Sequence, residues 1–454
     1  MLTVMKFGGT SVGSPESLKR VAEIIVSTEG QKVVVVSAMS GVTNFLVDAA
    51  EGDKIDCRQV IETFSRKHMA VAEVLFEGEH MRAFLEEFDA RLVSFEKALR
   101  GDRKDPFYKD AVTSSGERFS SLILSHVLKS MGQKSVALTS AAAGIHSDGV
   151  PLNGFADLKR TDADINMKVR PILEQGAIPI ITGFYGMNDL GKPLTFGRGG
   201  SDYSGAVVAN ALSADELQIW TDVDGFMSAD PRIVPDTIRI DEMNYGEAAE
   251  LAYFGAKVLH PRTIEPARQR HIPVRVKNTF KPECPGTLIH HLRGPKNGLL
   301  MSVAAKTDLS IITISSAEIA YRPAMVARII EKIAEKNVII YSISTSLSTV
   351  AFLLHNNDVQ HTLNQLNSLV ETDIEKINVK SDVALVCCVG DDLLDKCGVS
   401  GDIFGAVKEV GTNVEMISEG ASDSSLNFVV PMETVVSTVR ALHAKFVRGK
   451  NGRL

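Results

Sequence analysis

Short apolar runs rich in β-branched residues alternate with helix-period segments from Leu2 to about Thr279. That pattern predicts an α/β unit with a mainly parallel sheet. Val33–Ser37, Ile178–Thr182, Leu217–Thr221 and Val274–Val276 read as its buried strands. Each apolar run ends at a polar or glycine-containing turn, where open α/β sheets place their ligands. Between about Phe45 and Arg103 the composition shifts to charged helix formers, with Leu85, Phe88, Leu92 and Phe95 at helical spacing. This predicts a packed helical excursion on the α/β core. The stretch KPECPGTLIHHLRGPKNG then reads as a linker.

Beyond it the chain repeats itself at a constant offset of 76 residues: Asn337 with Asn413, Val338 with Val414, Ser342 with Ser418, Ser346 with Ser422, Ser348 with Ser424, Phe352 with Phe428, and Leu366 with Leu442. Identities over matching apolar patterns argue for a true repeat. The first copy reads Leu309–Ile314 strand, Ala324–Lys336 helix, Val338–Ser344 and Val350–His355 strands, Val359–Leu369 helix, and a closing strand Ile374–Val379. This is a split βαβ, ferredoxin-like unit. The second copy has no closing strand, and the spare apolar segment Leu299–Ala305 is placed to supply it. The first module is therefore expected to be inserted in the second.

Composition narrows the class. The chain has 454 residues with 44% hydrophobic and 23% charged, ample for several packed domains and not for a disordered or fibrous protein. Its 49 basic and 56 acidic residues give a net charge of −7, without the basic excess that drives nucleic-acid binding. Five cysteines form no CxxC pair, which fits reduced thiols rather than a disulfide frame or a zinc site. Lys6 interrupts what a secretory leader would need, and no apolar run approaches the ~20 residues of a membrane helix. The expectation is a soluble cytoplasmic enzyme with no nucleic-acid or membrane partner.

Six motifs hold candidate chemistry. KFGGTSVG (Lys6–Gly13) follows a strand and precedes the helical run Leu18–Val26; its glycine amides and Lys6 suit a phosphate, while a tight βα turn capped by Ser14 explains the same residues without function. VVVVSAMSGVTN offers Ser37, Ser40 and Thr43 at a strand end. TSSGERFSS puts Glu117 at a helix start, where a first-turn acid also complements the helix dipole. LTFGRGGSDYSG sets Arg198, Gly199, Gly200, Ser201 and Asp202 at one helix mouth, where capping explains Ser201 or Asp202 but not Arg198. IWTDVDGFMSADPR carries Asp222, Asp224, Asp230 and Arg232, an acid density that suits Asp-Gly turns or a magnesium–nucleotide loop. GAKVLHP offers Lys257. The stretch GMNDLGKP (Gly186–Pro193) mimics a P-loop, but Pro193 stands where Ser or Thr is needed, so it reads as a hairpin.

In this order the motifs resemble those of aspartokinases, members of the amino-acid kinase family, over essentially the whole chain. The resemblance implies an α/β amino-acid kinase fold, a mainly parallel sheet sandwiched by helices, followed by two ferredoxin-like (βαββαβ) ACT modules. The domains implied are 1–295 for the kinase, with the excursion at about 45–110, then 307–381 for the first ACT module and 299–306 plus 382–448 for the second. The chain is expected to be monofunctional, without a fused homoserine dehydrogenase. The implied reaction is ATP plus L-aspartate giving 4-phospho-L-aspartate, the entry to lysine, threonine and methionine, with magnesium carried mainly by the nucleotide phosphates and no metal held by protein ligands.

By the same resemblance Lys6, Gly8 and Gly9 hold the β/γ-phosphates and the transferring group. Asp202 orients the lysines and the substrate amine, and Ser37 and Lys257 contact phosphate. Thr221, Asp222, Met227, Arg232 and Val258 belong to the nucleotide site, with Met227 where a tyrosine is often found, so that an adenine contact there is apolar. Arg198 pairs the substrate α-carboxylate, Glu117 its α-ammonium, and Thr43, Ser201 and the Gly199–Gly200 backbone complete the pocket. A homodimer through the ACT modules, possibly a tetramer, binds an amino-acid effector at their interface. Tyr341 stands where lysine-responsive relatives tend to carry an aspartate, which implies weak lysine inhibition or another effector. A kinase for a different acceptor and a non-catalytic amino-acid sensor remain as alternatives.

Overall fold

Leu2–Phe7, buried at every position, is the central strand of the first of two units. The computed structural model describes residues 1–52, 56–255, 258–292, 299–334, 338–369, 374–390, 393, 395, 397–420 and 422–447. Lys257, Asn337, the last two residues of the expected helix Ala324–Lys336 and the expected boundaries at 295 and 448 lie outside them. The first unit comprises Met1–Phe226, Asp241–Tyr245 and Lys257–Gly294; the second comprises Met227–Ile240, Gly246–Ala256 and Pro295–Leu454.

Strands of the first unit are β1 (Leu2–Phe7), β2 (Gln31–Val36), β3 (Ser135–Leu138), the hairpin β4 (Ser147–Val150) and β5 (Asn153–Ala156), β6 (Ile178–Thr182), the hairpin β7 (Tyr185–Met187) and β8 (Pro193–Thr195), β9 (Glu216–Thr221), β10 (Glu242–Asn244), β11 (Val274–Asn278) and β12 (Thr287–His290). Eight of them form one sheet, in the order β10-β12-β11-β9-β1-β2-β6-β3. Every pair is parallel except β11 with β12. The β7–β8 pair is the hairpin expected from the mock P-loop. The expected linker, by contrast, contains β12, which lies between β11 and β10. Pro285 and Gly286, the latter at φ 74°, turn the chain there, and the apolar Leu288 and Ile289 return it to the sheet.

The helices are α1 (Pro15–Ser27), α2 (Val42–Glu51), α3 (Cys57–Leu75), α4 (Gly78–Leu99), α5 (Tyr108–Thr113), α6 (Ser115–Ser130), α7 (Ser140–Ala143), α8 (Leu158–Lys168), α9 (Arg170–Glu174), α10 (Gly200–Leu212), α11 (Tyr245–Phe254) and α12 (Glu265–Gln269). All of α11 but Tyr245 belongs to the second unit. Ser14 caps α1 through the Ser17 amide at 3.2 Å, ahead of Pro15. In the excursion, Phe64 of α3, Phe84, Phe88 and Phe95 of α4 and Phe119 of α6 bury against one another, so the helical apolar stripe is a core face.

The second unit contains β13 (Ser302–Ser315), α13 (Pro323–Ala334), β14 (Ser342–Thr345), β15 (Thr349–His355), α14 (Asn356–Leu366), β16 (Lys376–Val389), α15 (Val399–Glu409), β17 (Met416–Ser418), β18 (Ser425–Pro431) and α16 (Val435–Leu442). Its six strands make one antiparallel sheet, β14-β15-β13-β16-β18-β17. β13 and β16 run through both repeats. Leu309–Ser315 pairs with β15, while Ser302–Lys306 lies beside Leu385–Val389, next to β18. The change of register falls beside Asp308 and Asp382, both in the left-handed region, which short polar side chains tolerate best. Val338–Tyr341, expected as strand, is not; pairing begins at Ser342. Each repeat keeps its own core, one around Ile312, Ile329 and Phe352, the other around Val386, Ile403 and Phe428.

Candidate active site

Three strands end level. Phe7 is in register with Val36 on one side and with Trp220 on the other, so Gly8, Ser37 and Thr221 emerge side by side. From β1 the sheet order runs outward through β2 one way and β9 the other, so these ends flank the point where the topology switches direction. Backbone bonds extend the ladder past them: the Gly8 amide donates to Trp220 (3.1 Å), the Ser37 amide to Phe7 (3.1 Å), and the Thr279 amide to Thr221 (2.8 Å). Ser11 and Thr279 share a buried hydroxyl bond of 2.7 Å, fixing the KFGGTS turn across the ends of β9 and β11.

Lys6 is 6% exposed within a wholly buried strand, and its Nζ lies 2.5 Å from Asp202 Oδ1. Burying an ammonium is tolerable only with such a partner. Asp202 is in the first turn of α10, where a carboxylate is also favoured by the helix dipole. Gly205 brings α10 against Lys6: a Cβ there would meet Lys6 Cβ at 3.1 Å. Gly8 lies beside the same ammonium, and a Cβ on Gly9 would come within 2.8 Å of the Ala38 carbonyl, so the first βα turn closes only with glycine.

The second turn, Ser37–Thr43, is tied to the first by the Ser40 amide donating to the Gly9 carbonyl at 3.1 Å. It is tied to α6 by Glu117, whose Oε1 accepts the Ala38 amide at 3.0 Å. Gly116 permits this approach, since a Cβ would sit 2.7 Å from Ala38 Cβ. Glu117 is 2% exposed and its Oε2 has no hydrogen-bond partner. Burial raises its carboxyl to about 7, against the lowering pull of the Ala38 amide and Lys6. Glu117 is therefore more than a helix-dipole acid: it bridges two elements and keeps one oxygen in need of a donor.

At the other wall, α10 begins at Gly200 with Gly199 (φ 70°) as its N-cap and no side-chain cap bond. Capping by Ser201 or Asp202 does not occur: Ser201 instead packs on Gly183, and Asp202 is held by Lys6. Gly199 is pressed against His260 and Thr263, and Gly200 against Phe184. Phe184 holds φ 80° while its amide donates to Ser204 Oγ at 2.9 Å, a strained conformation fixed by α10. Arg198 is exposed at this mouth. Burial pushes His260 below the usual histidine range, helped by the positive charges of Arg198 and Arg262 and opposed by Asp202.

Among the other candidates, Thr221 donates to Asp222 Oδ1 at 3.2 Å, and Val258 is half-buried in the first unit. Met227 and Arg232 belong to the second unit, where Arg232 pairs with Asp230 at 2.6 Å. The acid density of TDVDG…DPR is taken up by the fold: Asp224 accepts from Asn278 and from Lys281 (2.9 Å), and Asp230 holds Arg232. His260 and Lys67 were not singled out in the sequence. His260 had a signal in its place within GAKVLHP, whereas Lys67, which donates to the Ser40 carbonyl at 2.7 Å, had none.

Residues 1–278 match the amino acid kinase family, and residues 386–446 match an ACT domain. The chain is 32% identical over 450 residues to lysine-sensitive aspartokinase 3 of Escherichia coli (strain K12), covering 98% of each. The chain belongs to the aspartokinases of the amino acid kinase family. Its fold superposes on E. coli aspartokinase III in complex with aspartate and ADP (R-state) with a TM-score of 0.84 at 31% identity, over 98% of this chain and 99% of that one. It superposes on the same enzyme in complex with lysine and aspartate (T-state) with a TM-score of 0.83 at 31% identity, over the same shares. The level strand ends, the buried Lys6–Asp202 pair and the Glu117 bridge all lie within the residues that match the amino acid kinase family.

Proposed function

We propose that the chain transfers the γ-phosphoryl group of ATP to the side-chain carboxylate of L-aspartate, giving 4-phospho-L-aspartate, under amino-acid control through its ACT modules. The observation that carries the acceptor is Glu117, a buried carboxylate with one oxygen unpaired beside Lys6 and Asp202. An α-ammonium supplies the missing donor and the counter-charge together.

The acceptor needs no general base, because its side chain, with a pKa of about 3.9, is already ionised at neutral pH. The obstacle is repulsion between an anion and a polyanion, so catalysis is positioning plus charge neutralisation. In this reading Lys6 and the Gly8–Gly9 amides receive the β/γ-phosphates, Ser37 contacts phosphate and Asp202 keeps Lys6 oriented. Arg198 takes the α-carboxylate in its fork, and Thr43, Ser201 and the Gly199–Gly200 backbone close the pocket. Thr221, Asp222, Met227, Arg232, Lys257 and Val258 serve the nucleotide. Among the described residues no group of three or more His, Cys, Asp or Glu side chains is placed to hold a metal ion. Magnesium enters with the nucleotide in this reading, held mainly through its phosphates.

We take the modules as 1–295, 307–381 and 299–306 plus 382–448, and the assembly as a homodimer through the ACT sheets, able to pair into a tetramer. Among the described residues no helix is long and apolar enough to cross a membrane; we place the enzyme in the cytoplasm. The lysine complex of E. coli aspartokinase III supports an amino acid as effector. ADP release with MgATP and L-aspartate, run beside L-glutamate, tests the activity. Turnover with aspartate alone is expected. Turnover with glutamate in preference points to a different acceptor, and none with either leaves an amino-acid sensor.

A further inference from the structure

The turn Ser37–Thr43 is gripped from two helices. Glu117 of α6 takes its Ala38 amide, and Lys67 of α3 donates to its Ser40 carbonyl at 2.7 Å. The two grips share a foundation. Phe64 and His68, flanking Lys67 on α3, are buried against Phe119, two residues beyond Glu117 on α6, at ring separations of 4.8 and 5.2 Å. Ala38 and Met39 are buried, but the turn opens to solvent at the second grip. Ser40 and Gly41 face solvent, Gly41 sits at φ 77°, and α2 starts there with no side-chain cap. A Cβ on Gly41 would lie 3.4 Å from Lys67 Nζ, so the ammonium rests close against the start of α2.

The placement runs against the helix dipole, which disfavours a cation at an N-terminus. Among the described residues no carboxylate pairs with Lys67 to compensate. We propose that Lys67 is a positioning residue for the acceptor: it fixes the Ser40–Thr43 turn so that Thr43 and Glu117 face aspartate together, and its unneutralised charge favours an acidic substrate. The inference rests on the aspartate reading of the site. It enlarges that site to α3, an element whose sequence marks it only as packing.

Three variants separate charge, hydrogen bond and fold. Lys67→Met should raise KM for aspartate about five- to tenfold, the worth of an exposed charge-assisted bond. KM for ATP and kcat should stay within about threefold. Lys67→Arg should restore KM for aspartate, and Lys67→Gln, which keeps a donor without the charge, should fall between. Unchanged KM for aspartate in Lys67→Met, or equal rises for both substrates, overturns the proposal. Wild-type chain inactive on aspartate would instead overturn the acceptor reading. Amide hydrogen exchange at Ser40–Thr43 then still decides: Lys67→Met must accelerate it and Lys67→Arg must not, and equal exchange in all forms overturns the clamp.

Discussion

Glu117 stores a conflict between stability and binding. A carboxyl raised to about 7 by burial binds a proton in the folded chain that the unfolded chain has released, between about pH 4.5 and 7. The stability this gives is present below that window and lost as pH rises through about 7. Glu117→Gln should therefore be more stable than wild type at pH 8, by on the order of 3 kcal/mol at most, with the difference shrinking by pH 5. Urea unfolding at the two pH values checks it; a pH-independent difference contradicts it. Binding runs the other way. KM for aspartate should rise as pH falls from 8 to 6, when Glu117 loses the charge that meets the ammonium, and should be higher and flat in Glu117→Gln. Lys6→Met removes the cation at the transferring group and should lower kcat by about 10²–10³. The close-packed turns of KFGGTS, SGER and FGRGGSD were legible because glycine and charge coincide in each, at a strand end in the first and at a helix start in the other two. Lys67 was not, because a lysine on an amphipathic helix looks solvated and its partner is a backbone carbonyl 27 residues away.

At the scale of elements, the site depends on how closely α6 approaches the second turn. Gly116→Ala adds a methyl 2.7 Å from Ala38 Cβ and 3.0 Å from Val42. The turn is anchored by Gly9 and Glu117, so it cannot give way freely; a loss of about 1–3 kcal/mol is expected despite the better helix propensity of alanine. Thermal unfolding of the variant reads this directly, and a gain in stability would show that the turn yields. Under the same turn, His68 is fully buried, with Nδ1 donating to the Phe64 carbonyl at 2.8 Å, and burial pushes it down to about 4. Protonation favours the unfolded chain, so stability falls from about pH 6.5 downward, by on the order of 3 kcal/mol at pH 4. His68→Phe should flatten this acid limb of the unfolding curve. The apolar stripes of the excursion and the parallel strands could be read from periodicity. β12 could not, since prolines and glycines at its flanks outweighed four residues of strand pattern. Nor could the late start of β14, because Val338–Tyr341 has strand propensity but its pairing is decided by the neighbouring strand.

For the molecule as a whole, the sequence repeat announced two ferredoxin-like modules, but not that β13 and β16 would serve both within one sheet. Repetition marks equivalent segments and is silent about strands that run on from one copy into the other. Just before β14, the Tyr341 ring has the Lys306 ammonium 4.6 Å from its centroid and the ring of Tyr253 at 5.7 Å. With no acid at Tyr341 to meet its amine, a cationic effector loses a charge-assisted bond, so lysine inhibition should be weak. Titration of L-lysine, L-threonine and L-methionine, singly and in pairs, checks this, and strong inhibition by lysine alone at low micromolar concentration contradicts it. Any effector acts only through its differential affinity for two states of the catalytic unit. The central claim, that this catalytic unit phosphorylates a carboxylate of aspartate, is tested most directly by trapping the acyl phosphate with hydroxylamine. Wild-type enzyme with MgATP and L-aspartate should yield aspartate β-hydroxamate, and Lys6→Met should yield at least a hundredfold less. ADP formed without hydroxamate, or hydroxamate from glutamate in preference to aspartate, would contradict it.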